Sequence, residues 1–127
     1  MELTVKLKQS TPSIITLLPA GKINSDTSEI LDREIARALT EPVKILVIDM
    51  ADVSFITSAG IGVITKANVS TARKNAEFVM IHLQPQVKQV FEVIRLLPTM
   101  NVFESVEELD KYLGILQRRI SEGDLKF

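Results

Sequence analysis

Four consecutive aliphatic residues, Ile45-Leu46-Val47-Ile48, constrain this chain more than any other feature. Side chains alternate between the two faces of a strand, so an unbroken apolar run needs cover on both sides. An inner strand of a parallel sheet flanked by helices meets that condition. Asp49 ends this strand, and a short loop then delivers Thr57-Ser58-Ala59-Gly60-Ile61-Gly62 to a new periodic segment. Helical spacing runs from Ala59 to about Lys74, with Ile61, Ile64 and Ala67 on the buried side. Thr57 and Ser58 therefore arrive at a helix N-terminus, where unpaired N–H groups and the dipole favour a phosphate. Ala59, Gly60 and Gly62 are small, which lets another surface come close to this turn.

The flanking segments agree with an α/β chain. Leu3, Val5 and Leu7 alternate with Thr4, Lys6 and Lys8 as one strand, and Ile14 to Leu18 forms its hairpin partner. Pro19 and Gly21 break that strand. Asn24, Ser25 or Asp26 caps a helix with Glu29 in its first turn and Leu31, Ile35, Ala38 and Leu39 inward. Glu77 to Leu83 predicts a further strand. Pro85 opens a helix with a stripe of Val87, Val90, Phe91 and Ile94, closed by Pro98. Met100 to Phe103 predicts an edge strand. Ser105-Val-Glu-Glu108 is a capping box for a last helix carrying Val106, Leu109, Leu113, Leu116 and Ile120. The expected architecture is a mixed sheet of about four or five strands packed with about four helices, parallel after the hairpin. Residues 1–120 are expected to form one domain and residues 121–127 a flexible tail.

Composition removes several functions. The 127 residues carry 15 Lys and Arg against 16 Asp and Glu, a formal net charge of −1. No overall field therefore selects nucleic acid or acidic lipid as the main partner. Cysteine is absent, which excludes disulfides and thiol catalysis. The N-terminus lacks the apolar core of a signal peptide, and no run is long enough to span a bilayer. A cytoplasmic protein is expected, with no membrane and no direct nucleic-acid contact.

No catalytic set emerges. Asp49 and Asp52 have no histidine or glutamate close in sequence to complete a metal site, and structural roles are favoured for both. Gly60-Ile-Gly62 lacks the third glycine of a dinucleotide turn, and there is no phosphate loop. No cofactor and no metal are expected. His82 stands alone in an apolar strand, and Asn68-Val69-Ser70 is a mid-helix chance match to a glycosylation sequon. The outer face of the Ser58 helix is more suggestive. Gly62, Lys66, Val69 and Arg73 recur there, with an apolar valine where water is expected, and a partner surface is the reading. Ser58 itself fits two compatible roles, a hydroxyl cap and a phosphate acceptor. Thr57 is the runner-up acceptor, its hydroxyl expected to bond locally.

The pattern Asp49-Met50, Val53, Phe55-Ile56 and Ser58-Ala59-Gly60-Ile61-Gly62 resembles the signature of the STAS domain, the bacterial anti-sigma factor antagonists. Gly21-Lys-Ile23-Asn24, and Phe78 to Leu83 followed by Gln84-Pro85-Gln86-Val87, extend the resemblance along nearly the whole chain. It implies a STAS-like α/β sandwich and no enzymatic activity. It implies that Ser58 is phosphorylated by a serine kinase that is also the anti-sigma factor, and that a serine phosphatase resets it. Asn24, Thr57, Ser58, Ala59, Gly60, Ile61, Gly62, Lys66 and Val69 then form the partner-binding set. Thr57 and Asn24 stand where the family pattern has aspartates. Three other readings stay open: a STAS regulator of a non-sigma output, a scaffold subunit that is never phosphorylated, and a small enzyme at the end of the central strand. The sequence does not select an oligomeric state.

Overall fold

The computed structural model describes residues 3–11, 13–93 and 101–103, together with Glu107 and Lys111. A hairpin opens the chain, with β1 (Thr4–Thr11) antiparallel to β2 (Ile14–Ile23). There follow α1 (Ser28–Ala38), β3 (Ile45–Asp49), β4 (Asp52–Ile56), α2 (Ser58–Arg73), β5 (Glu77–Ile81), α3 (Pro85–Val93) and β6 (Asn101–Phe103). The sheet runs β1-β2-β3-β5-β6, and every pairing after the hairpin is parallel. β4 lies along the end of β2, from Ala20 to Ile23, beyond the stretch that β3 occupies. The expected mixed α/β sandwich is present.

β3 is buried on both faces, as its apolar run requires. Leu46 and Ile48 enter the main core with Leu17, Leu31, Ile35, Ile64 and Met80. Ile45 and Val47 alternate to the other face, where Val79 and Ile81 of β5 are buried too. Leu31, Ile35, Ala38 and Leu39 of the α1 segment are all buried, and so are Val87 and Phe91 of α3. Leu7 departs from the hairpin reading, being half exposed on the face where Leu3 is buried.

Several boundaries differ from the sequence reading. β2 is not broken at Pro19 and Gly21 but runs on to Ile23, because Pro19 falls between the stretch paired with β3 (Ile14 to Leu17) and the stretch paired with β4 (Ala20 to Ile23), where no ladder hydrogen bond on that side is lost. Asp52 to Ile56 is a strand, not a loop; its inward residues Val53 and Ile56 are three apart, off the two-residue period of a regular strand. None of the three cap candidates is the N-cap of α1, which is Thr27 without a side-chain cap; Asn24 instead closes the turn that leads into the helix. The Asn24 Oδ1 accepts the backbone N–H groups of Asp26 and Thr27 at 2.9 and 3.1 Å. β5 stops at Ile81 rather than Leu83, because His82 takes a left-handed conformation with φ 59°. β6 is described over Asn101–Phe103, as expected, and Met100 lies outside the described residues. The helix expected from Ser105, the Ile94 and Pro98 positions and the tail 121–127 lie outside the described residues.

Candidate functional site

β2 and β4 end side by side, Ile23 opposite Ile56, and α2 starts from that point. Thr57 is pinned there by its backbone N–H, which donates to the Ile23 carbonyl at 2.9 Å. Its hydroxyl reaches the same oxygen at 3.5 Å, across the sheet rather than locally as expected. Extended at φ −106° and ψ 178°, Thr57 is the N-cap residue, and its carbonyl accepts the Ile61 N–H at 2.9 Å. Ser58 is therefore the first helical residue, which replaces the hydroxyl-cap reading. Its side chain is exposed, and its hydroxyl makes no hydrogen bond to protein among the described residues. The first turn of α2 holds no acidic residue and no side-chain cap.

The remaining partner-face residues divide. Gly60 is buried: a Cβ there would meet Ile56 Cγ1 at 2.6 Å and Ile23 Cγ2 at 2.7 Å. The close approach its bare Cα permits is thus between α2 and the protein's own strands, a correction to its place among partner contacts. Gly62, Lys66, Val69 and Arg73 are all exposed, and Ala59 and Ile61 are half-buried. Lys66 Nζ pairs with Asp32 Oδ2 of α1 at 3.2 Å, an exposed bridge worth about 0–1 kcal/mol. Asn24 sits just past Ile23, next to the start of α2 in the sheet, with its carboxamide oxygen committed to the turn before α1.

Folding also assembles a pair that sequence distance conceals. Asp49 Oδ1, at the end of β3, lies 3.0 Å from His82 Nδ1 and accepts the Ala51 N–H at 3.0 Å. Parallel pairing of β3 with β5 brings the two residues to the same sheet end. The pair ties the turn between β3 and β4, which supports a structural role for Asp49. Asp52 is exposed at the start of β4. Among the described residues no group of three or more His, Cys, Asp or Glu side chains is placed to hold a metal.

The family model described as "STAS domain" matches residues 6–109. The chain belongs to the STAS domain family. Among curated relatives, BtrV of Bordetella bronchiseptica, named for anti-sigma factor antagonism, is 30% identical over 87 residues, 68% of this chain and 75% of that protein. Among solved structures, the anti-sigma factor antagonist SpoIIAA in its unphosphorylated form superposes with a TM-score of 0.74 at 20% identity, covering 87% of this chain and 97% of that one. The phosphorylated form of the Bacillus cell fate determinant SpoIIAA gives a TM-score of 0.66 at 18% identity, covering 86% and 99%. Both likenesses establish the STAS fold for this chain.

One surface feature of this STAS domain escaped the sequence reading. Phe55 is 50% exposed, directly ahead of the Thr57–Ser58 turn. The available signal was the spacing of Val53 and Ile56, three residues apart where a regular strand would place inward residues two apart.

Proposed function

We propose that this STAS domain is an anti-sigma factor antagonist that switches partners through Ser58. Unmodified, it binds a serine kinase that is also the anti-sigma factor, and the sigma factor is released. Phosphorylated on Ser58, it lets the kinase go, and a serine phosphatase restores it. The domain performs no chemistry of its own; it is the substrate and ligand of its partners. Its setting is the cytoplasm. Among the described residues no helix is long and apolar enough to cross a membrane.

The observation that carries this reading is an exposed Ser58 hydroxyl on the first turn of α2, in a turn free of acids and side-chain caps. A phosphoryl group adds about −1.5 to −2 charges at neutral pH. The positive end of a helix favours a nearby negative charge by about 0.3–1 kcal/mol, so the domain itself accommodates the change. A partner seated over the same turn does not, because an uncompensated charge would be desolvated beneath it. The switch therefore acts outward. BtrV's name, and the fact that SpoIIAA is known in unphosphorylated and phosphorylated forms, support the reading. Asn24 in place of an aspartate is compatible with it, since the carboxamide oxygen accepts the Asp26 and Thr27 N–H groups as a carboxylate would.

The test is incubation of the chain with candidate serine kinases and ATP, followed by fragmentation of the modified peptide. Phosphate on Ser58, lost in Ser58→Ala, is expected. Phosphate confined to Thr57, or none with any kinase of the source cell, would overturn the switch. Two other readings keep specific support. A STAS regulator of a non-sigma output uses the same Ser58 chemistry, and identifying the bound kinase separates it. A scaffold that is never phosphorylated is favoured by Thr57 and Asn24 at the family's acidic positions.

A further inference from the structure

β4 holds one residue more than its ladder can pair. Gly21 faces Val53 and Lys22 faces Phe55, which leaves Ser54 as a bulge. Regular alternation from Val53 would turn Phe55 into the core and Ile56 out to water. The extra residue reverses that outcome: Val53 and Ile56 are 0% and 3% exposed, and Phe55 is 50% exposed. The bulge is braced from α3 and the segment before it. Gln86 Nε2 donates to the Ser54 carbonyl at 2.9 Å, and Gln84 Nε2 donates to the Ala51 carbonyl at 2.7 Å. Bulges of this kind re-aim a side chain beside a functional site. Here the re-aimed group is a large aromatic left half in water, in the same short segment as Ser58.

Charge narrows what covers it. Lys22, the cross-strand partner of Phe55, is exposed and makes no ion pair among the described residues. The start of α2 adds the positive end of a helix with no acid in its first turn. The surface is apolar at Phe55 and positive on its Ser58 side, while Asp52, also exposed, marks the other end of β4; the Lys22 side is complementary to an acidic side chain of a partner.

We propose that Phe55 is the apolar anchor of the Ser58 interface, seated in a recess of the partner protein whose acidic side chain meets Lys22. This rests on the partner-switching reading and deepens it by stating the partner's chemistry. An aromatic in a closed pocket carries a large share of an interface's affinity, and the polar surroundings mainly exclude water. A phosphoryl group on Ser58 then confronts the partner's acid across a contact that Phe55 alone does not hold.

The test uses the full chain in the source cell with Phe55→p-benzoylphenylalanine, a photo-crosslinking residue, and the same analogue at exposed Arg33 of α1 as control. The phosphate on Ser58 is mapped in parallel. One adduct specific to position 55 is expected, with an ATP-binding protein, reduced at least tenfold by Ser58→Asp and by Lys22→Glu. That protein, purified, should bind Phe55→Ala at least tenfold more weakly than the wild-type chain, at an unchanged melting temperature; Phe55→Leu, which keeps apolar cover on the strand, should bind with intermediate affinity. No adduct, an adduct with a second copy of this chain, or an adduct indifferent to Lys22→Glu would overturn the anchor. Phosphate on Ser58 without a position-55 adduct overturns the anchor and leaves the switch standing. An adduct lost with Lys22→Glu in cells that never phosphorylate Ser58 does the reverse.

Discussion

A methyl group added at Gly60 would sit 2.6 Å from Ile56 Cγ1, 2.7 Å from Ile23 Cγ2 and 3.1 Å from the Ile23 carbonyl oxygen. Both isoleucines are buried and β-branched, so neither yields cheaply. Gly60→Ala is expected to lower stability by about 1–3 kcal/mol in urea unfolding. Nothing lies within 4 Å of the same point at Gly62. There the substitution should raise stability by about 0.5–1 kcal/mol, because an exposed helical glycine costs backbone entropy. Equal effects at the two positions would mean that α2 is not seated on Ile23 and Ile56. Asn24 offers a second residue-level test. Asn24→Ala removes the acceptor of two backbone N–H groups and should cost about 0.5–2 kcal/mol, whereas Asn24→Asp should leave the melting temperature nearly unchanged.

At the scale of elements, α2 joins a sequence-readable face to a start point that is not readable. Its buried positions, Gly60, Ile64, Ala67 and Thr71, follow helical spacing. Its end is a Schellman motif, with Asn75 at φ 57° and the Ala76 N–H donating to the Thr71 carbonyl at 2.9 Å. A charge at the opposite end should be tolerated. Ser58→Asp is expected to raise stability by about 0.3–1 kcal/mol, less at high salt, while abolishing kinase binding in a pull-down. Reduced stability would show that the first turn does not welcome an anion. On the outer face, Val69 is 46% exposed. Val69→Glu should therefore keep the fold by circular dichroism and weaken kinase binding; a folded variant with unchanged affinity would remove Val69 from the interface. β4 is the element the sequence concealed. Its bulge places Val53 and Ile56 on one face at a spacing that matches neither a strand nor a loop rule.

Over the whole molecule, the centre of the sheet, β3 and β5, is buried on both faces, while β1 and β4 keep side chains in water. Leu46 and Val47 point to opposite faces of β3, and both are buried. Leu46→Ala should cost about 2–5 kcal/mol, and Val47→Ala at least about 1.6 kcal/mol for its two methyl groups. A sheet with a solvent face would lose stability at only one of them, which urea titration of the two variants would reveal. The apolar run Ile45 to Ile48 made this arrangement legible in advance. The parallel order was legible too, from strands alternating with helical segments. Ser58 was legible as a hydroxyl at a helix start, although its position one residue past the N-cap was not.

What the amino-acid order determined alone was everything carried by local period: the hairpin, the doubly buried central strand, the inward stripes of α1, α2 and α3, and the exposed outer face of α2. Tertiary structure decided the rest. It turned Gly60 inward, brought Asp49 to within 3.0 Å of His82, and set Phe55 in water. Each of these depends on the register between strands distant in the chain, β2 with β4 and β3 with β5. A shift of one residue in such a pairing moves side chains from one face to the other, and no local pattern records which register wins.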